Sequence, residues 1–135
     1  MTQMYDNREK KEDNMTKVLV VEDNPLNMEL VLEILKSLDF IVSEAINGEE
    51  AIKMVENEHY DLILMDIELP GMDGINTTRI IKNKPGYNNV TAVALTAFAM
   101  KGDREKFLCA GFDDYIAKPI DVSGFIEQMK KYKKS

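Results

Sequence analysis

Sulfur chemistry and long apolar runs are both scarce in this chain. Its single cysteine, Cys109, has no partner for an internal disulfide, which suits a reducing compartment such as the cytosol. A lone buried thiol behaves as a small hydrophobe, so Cys109 is expected in the core. The longest apolar stretch, Val90 to Met100, contains two threonines and falls far short of the roughly 20 residues of a membrane helix. The segment Met1 to Met15 mixes charges and amides and lacks the apolar centre of a signal peptide. A cytoplasmic protein with no membrane partner is expected. Positive charge is also in short supply: 17 Lys and Arg against 24 Asp and Glu leave a net charge of -7. That sign disfavours direct contact with nucleic acid, because phosphates reward clustered Lys and Arg. The lysines after Gln128 read as a solvated helix terminus. The only histidine, His59, stands without a catalytic pattern around it and reads as a surface residue.

What is present is a single domain's worth of core, 135 residues with 44% hydrophobic content. Apolar runs alternate with amphipathic stretches, the pattern of successive βαβ units. Strands are expected at Lys17 to Val21, Ile41 to Ala45, Asp61 to Asp66, Thr91 to Thr96 and Asp114 to Ala117. The first, third and fourth lack polar alternation, so both their faces are covered, whereas Ile41-Val42-Ser43-Glu44-Ala45 alternates like an edge strand. Asn24 as N-cap and Pro25 at the first helical position open a helix that runs to about Leu38. Met28, Val31, Ile34, Leu35 and Leu38 form its core face, leaving Leu26 and Leu30 pointing away as a place for a partner helix to dock. Further helices are expected over Glu49 to Glu58, Gly74 to Asn83, Lys101 to Cys109 and Val122 to Lys133. Asp121 suits the last as a cap, and Gly111 suits a left-handed helix terminus. Residues 1–15 show no period and are expected to be disordered, with Met15 an alternative start. Residues 16–135 form the folded domain.

Chemistry concentrates where the apolar runs stop. Asp66 closes Leu62-Ile63-Leu64-Met65, and Glu22 and Asp23 close Val18-Leu19-Val20-Val21. Two later runs end on Thr96 and Lys118. A parallel sheet binds its ligands beyond the carboxyl ends of its strands, so three acids, a hydroxyl and an ammonium converge on one edge. Any one of these residues alone would be an ordinary strand end or cap. Two unit charges about 4 Å apart repel by roughly 4 kcal/mol at an effective dielectric near 20, so the acids need a cation or a proton. Short all-oxygen donors select Mg²⁺, which binds through one or two carboxylates and a phosphate oxygen. Asp23 and Asp66 are expected as direct ligands, with Glu22 acting through water. A carboxylate facing such an ion can attack a phosphoryl group, with Lys118 and Thr96 stabilising the transferred oxygens.

The sequence resembles the receiver domain of two-component response regulators over nearly everything after Met15. The resemblance rests on Val20-Val21-Glu22-Asp23-Asn24, Leu64-Met65-Asp66-Ile67-Glu68-Leu69-Pro70-Gly71-Met72-Asp73-Gly74, Ala94-Leu95-Thr96-Ala97 and Tyr115-Ile116-Ala117-Lys118-Pro119. It implies a flavodoxin-like, doubly wound (βα)5 fold with a five-stranded parallel sheet in the order 2-1-3-4-5. It implies Asp66 as phosphoacceptor, Glu22 and Asp23 as the acidic pair, and the Glu68 backbone carbonyl as a further Mg²⁺ ligand. Thr96 and Tyr115 become the switch hydroxyl and switch aromatic, Lys118 the phosphate-contacting base, and Lys118-Pro119 a cis bond. When Thr96 is drawn to a phosphoryl group, Tyr115 rotates into the space behind it, and the loop Phe98 to Gly102 is the expected hinge. The implied partners are a sensor histidine kinase or phosphotransfer protein as donor and a downstream target protein, with the chain a monomer or a phosphorylation-dependent dimer. A stand-alone domain without an output domain is expected. A receiver excised from a hybrid kinase shares the same segment Ala97 to Asp103.

Two other classes fit less well. A haloacid-dehalogenase-type phosphatase also uses an Asp nucleophile with an acid two positions on, as in Asp66-Ile67-Glu68, but places that pair on its first strand. A flavodoxin-like flavin carrier needs a hydroxyl- or Gly-rich loop after that strand, where Glu22-Asp23-Asn24-Pro25 would repel a phosphate.

Overall fold

The computed structural model describes residues 15–97 and 103–134. The disorder expected before Met15, the hinge expected over Phe98 to Gly102 and the helix start expected at Lys101 fall outside these residues. The strands are β1 (Lys17–Val21), β2 (Ile41–Ala45), β3 (Leu62–Asp66), β4 (Thr91–Thr96) and β5 (Asp114–Ala117). The helices are α1 (Pro25–Ser37), α2 (Gly48–Asn57), α3 (Gly74–Lys82), α4 (Asp103–Cys109) and α5 (Val122–Lys130). All strand pairs are parallel, in the order β2-β1-β3-β4-β5. This is the doubly wound order expected, with β2 at an edge.

Period-two alternation within uniformly apolar strands divides the core into two layers. Leu19, Val21, Ile63, Met65, Ala92 and Ala94 face Ala51 and Val55 of α2, Ile81 of α3 and Phe107 of α4. Val18, Val20, Leu62, Leu64, Val93 and Leu95 face Met28, Val31, Ile34 and Leu35 of α1 and Phe125 and Met129 of α5. Each large aliphatic side chain so buried stabilises the fold by about 1.5–3 kcal/mol relative to exposure. Helices therefore cover both faces, and only the strand ends remain open for chemistry.

Side-chain caps set where the helices begin. Asn24 Oδ1 accepts from the backbone N–H groups of Leu26 and Asn27, both at 3.0 Å, with Pro25 in the first turn. Asn47 Oδ1 accepts from Glu50 N at 2.8 Å, so α2 begins at Gly48, one residue before the start expected at Glu49. Asp73 caps α3 through Asn76 N at 2.8 Å, and Asp121 caps α5 through Gly124 N at 3.1 Å. Gly111 follows α4 with φ +101°, the left-handed conformation that glycine adopts without steric cost. The last helix ends at Lys130, short of the expected Lys133.

Two expectations are corrected. Cys109 is exposed, because the short α4 aims Phe107 into the core and leaves the two positions after it on the outer side. Leu30 is half-buried against the α1 and α5 core layer, so it does not point away. Leu26 does, with 76% of its surface exposed.

At the amino ends of the strands, the segment after α5 is tied to β1. Thr16 Oγ1 accepts from Lys134 N at 2.7 Å and donates to the Tyr132 carbonyl at 3.5 Å. Asp61 Oδ2 accepts from Lys17 N at 2.9 Å and pairs with Lys134 Nζ at 3.2 Å.

Candidate functional site

The strand register brings the sequence-predicted residues to one edge. Val21 of β1 pairs with Met65 of β3, and Asp66 pairs with Leu95 of β4. Thr96 of β4 pairs with Ala117 of β5. Glu22 and Asp66 are therefore level with each other, and Thr96 and Lys118 follow at the same edge, one and two residues further along the neighbouring strands. One acidic oxygen from each of Glu22, Asp23 and Asp66 lies within 4.8 Å of the others. Glu22 and Asp66 are fully buried and Asp23 is exposed.

Backbone geometry holds this edge in place. The β3–β4 ladder continues one step beyond Asp66 through Ile67 N donating to the Leu95 carbonyl at 2.9 Å. Helix α3 then starts directly against β3, because a Cβ on Gly74 would overlap the Asp66 carbonyl oxygen. Only glycine allows that approach without moving the Asp66 peptide.

Lys118 answers the charge problem in this structure. Its ammonium lies 2.8 and 3.0 Å from the two Glu22 oxygens and 3.1 Å from Asp66 Oδ2. Glu22 is thus the nearer partner, a pairing the strand-end pattern did not reveal. The Lys118–Pro119 bond is cis. Asp66 Oδ1 accepts the backbone N–H of Glu68 at 2.9 Å.

One cation between two buried acids does not keep both ordinarily ionised. Burial, followed by the hydrogen bond to Asp66, pushes the Glu22 carboxyl up to about 7 against the opposing pull of Lys118. Burial would also raise Asp66, but the Glu22 hydrogen bond, the Lys118 charge and the Glu68 N–H together outweigh it, so its carboxyl lies below the usual range. Burial would lower Lys118, but its two carboxylate partners hold it above the ordinary lysine value. Below about pH 7 the pair therefore holds a proton, carried mainly by Glu22.

Thr96 and Glu68 form a contact that the sequence reading missed. The Thr96 hydroxyl donates to Glu68 Oε2 at 2.9 Å, and Ala97 N donates to Glu68 Oε1 at 2.9 Å. The available signal was an acid two residues past Asp66 in a loop beside the end of β4. Tyr115 is half-buried on the α2–α4 side, its ring centroid 5.8 Å from that of Phe107. It borders a shallow depression of about 470 Å³ with Arg104 and residues of α5.

Three clustered carboxylates with all-oxygen donors fit a hard divalent cation such as Mg²⁺. Loading must displace the proton on Glu22, so affinity for Mg²⁺ is expected to fall by up to about tenfold per pH unit below 7. Isothermal titration calorimetry at several pH values checks this through affinity and proton release. The stability counterpart has a definite sign. The folded-state value of Glu22, about 7, exceeds its ordinary 4.5, so the stability it confers is complete only below that ordinary value and is lost progressively as pH rises to about 7. In chelator the thermal midpoint should fall between pH 5 and 8 (about the span from the unfolded to beyond the folded value), and excess Mg²⁺ should reverse the trend. A pH-independent Mg²⁺ affinity would contradict the shared proton.

The residues from 18 to 130 match the family model for the response regulator receiver domain. The chain is 42% identical over 119 residues to the polar-differentiation response regulator DivK of Brucella ovis, covering 87% of this chain and 97% of that protein. The Brucella anthropi DivK is 41% identical over 115 residues, covering 85% and 94%. Among solved structures, the receiver domain of sensor histidine kinase PA1611 from Pseudomonas aeruginosa PAO1 superposes with a TM-score of 0.79 at 38% identity, covering 90% of this chain and 99% of that one. That structure has a magnesium ion coordinated in its active site cleft. Chemotaxis response regulator CheY4 of Vibrio cholerae has a TM-score of 0.82 at 21% identity, covering 87% and 98%, which speaks to the fold.

Proposed function

Because this chain belongs to the response-regulator receiver-domain family of two-component signalling, we propose that Asp66 is its phosphoacceptor and that the edge around it catalyses the transfer. The observation that carries this reading is the ion pairing of Lys118 with both Glu22 and Asp66 at the carboxyl ends of β1 and β3. A receiver domain works with histidine kinases or phosphotransfer proteins and with downstream targets.

In the proposed reaction an Asp66 carboxylate oxygen attacks the phosphorus of a phosphohistidine. The P–N bond breaks, its electron pair returns to the imidazole, and an acyl phosphate forms on Asp66. Lys118 pairs with the transferred phosphoryl oxygens from its place beside Asp66. Its hold on Glu22 keeps the ammonium at the site before substrate arrives. Glu22, Asp23, Asp66 and the Glu68 carbonyl would hold Mg²⁺. The ion supplies neutralisation of charge on the phosphoryl oxygens. Thr96 is the hydroxyl that reports the phosphoryl group, and Tyr115 follows it inward, reshaping the surface of α4, β5 and α5 for a target protein. The lone histidine, His59, is 65% exposed and pairs only weakly with Asp61 at 3.6 Å, so the donor imidazole is supplied by another protein. No described helix is long and apolar enough to cross a membrane; with the negative net charge this supports a cytoplasmic protein that meets proteins rather than nucleic acid. The chain acts as a monomer or as a dimer formed on phosphorylation.

The test is intact mass after incubation with acetyl phosphate and Mg²⁺, with and without chelator. One labile phosphoryl adduct that requires the metal is expected. Absence of any adduct, from acetyl phosphate or from a histidine kinase mixture, would end this reading.

Leu26 is the proposed contact for the donor protein. It stands exposed in the first turn of α1, whose Pro25, Met28, Glu29 and Leu32 line a hollow of about 350 Å³ together with Glu44 and Ile46. Leu26→Glu should slow transfer from a phosphohistidine protein about tenfold, the effect of losing one buried apolar side chain. The small donor acetyl phosphate should feel much less. Equal slowing with both donors would remove Leu26 from the docking surface.

A further inference from the structure

Glu68 uses both of its carboxylate oxygens on the end of β4. Oε2 accepts the Thr96 hydroxyl and Oε1 accepts the Ala97 N–H, each at 2.9 Å. Its backbone is fixed separately, through the N–H donated to Asp66 Oδ1 at 2.9 Å. The side chain is exposed while Thr96 is buried. A negatively charged group thus sits on two donors beside the phosphoacceptor edge, and it has solvent to swing into without disturbing the Asp66 backbone contact.

We propose that the Glu68 carboxylate is a resident anion that occupies the Thr96 and Ala97 donors at rest and must be displaced by the phosphoryl group. This inference rests on the reading of Asp66 as phosphoacceptor. Two acceptors cannot use one hydroxyl proton, and a carboxylate close to a phosphoryl dianion is repelled by it. The free energy of the two charge-assisted bonds is therefore set against phosphoryl binding. Glu68 also pins Thr96 away from the site until that exchange happens, which makes it a positioning residue for the switch. Occupancy and switching become one event, because the bonds that release Glu68 are those that bring Thr96 over.

The test uses beryllofluoride, a tetrahedral phosphoryl mimic, at saturating Mg²⁺, with wild type, Glu68→Gln and Glu68→Ala. Gln keeps the length but loses the charge and one acceptor, and Ala loses the whole arm. Beryllofluoride should bind about tenfold more tightly to both variants, the equivalent of one to two charge-assisted hydrogen bonds no longer opposed. With acetyl phosphate, the gain should appear at low donor concentration and fade at saturation. In the resting protein, the Ala97 amide proton should move upfield in both variants, while the thermal midpoint changes little. Unchanged or weaker beryllofluoride binding by both variants, in a protein whose wild type labels on Asp66, would overturn the resident-anion role alone. A wild type that neither labels nor binds beryllofluoride would overturn the phosphoacceptor reading and this inference with it.

Discussion

Asp66→Asn should lose the phosphoryl adduct by more than about a thousandfold while remaining folded, as expected when a covalent nucleophile is replaced by its neutral isostere. The amide oxygen can still accept the Glu68 N–H that now binds Asp66 Oδ1, and Lys118 keeps its closer partner Glu22, so the backbone of the edge has no reason to move. What disappears is the charge. The proton on Glu22 is held partly by its hydrogen bond to Asp66, so the substitution should also lower the pH at which Glu22 ionises. The fall in thermal midpoint towards neutrality should accordingly end at lower pH and be smaller. Asp66 itself contributes in the opposite direction: its depressed value stabilises the fold above the ordinary carboxylate range, a contribution lost as pH falls through that value. The variant should therefore be the less acid-sensitive protein. Intact mass with acetyl phosphate and a pH series of melting curves read both effects. An adduct retained on the Asn variant would move the acceptor to Glu22 or Asp23 and dissolve the mechanism.

Lys118→Met should be the most destabilising single change at the site when divalent metal is absent. The ammonium is the cation within salt-bridge distance of both Glu22 and Asp66. Removing one partner of a buried ion pair leaves an uncompensated charge, at about 3–5 kcal/mol. Part of that loss should be avoided by further proton uptake on the two acids, and a larger part recovered by Mg²⁺. Denaturant titration in chelator and in excess Mg²⁺ separates the two contributions. Phosphorylation with saturating metal should still fall by about a hundredfold, because a cation aimed at the transferred oxygens is lost. A variant as stable as wild type in chelator would mean that the acids are neutralised by protons alone.

The legible part of the molecule was the part written in strong local signals. Val18 to Val21 and Leu62 to Met65 are too apolar to have a wet face, so two-sided burial followed from composition. Asn24-Pro25 and Asp121 fixed helix starts because a capping side chain needs only its own next turn. Asp66, Glu22, Thr96 and Lys118 were legible together because parallel strands carry their carboxyl ends to one edge of the sheet. Contacts between distant segments were not. The preference of Lys118 for Glu22 over Asp66 depends on how two loops approach each other. The grip of Glu68 on Thr96 and Ala97 depends on a side chain reaching across from β3 to β4. Cys109 was misplaced because seven residues of α4 give too little periodicity to decide which face is inward, and Leu30 because it borders the core face of its helix and packs partly against the layer under α1 and α5. Asn47 caps α2 through Glu50 N, so that helix begins one residue before the expected Glu49.

The bond between Thr16 and the backbone of Lys134 fixes where attachments can be made. Residues 16 and 134 both lie at the amino edge of the sheet, one strand length, about 17 Å for five residues, below the carboxylates. A dye or a surface tether attached at residue 16 or 134 would sit on the floor of the molecule and leave its roof open to a visiting donor. The same closeness makes the domain a candidate for circular permutation: a short bridge across the two ends would let new termini be cut elsewhere without unseating the phosphoryl edge.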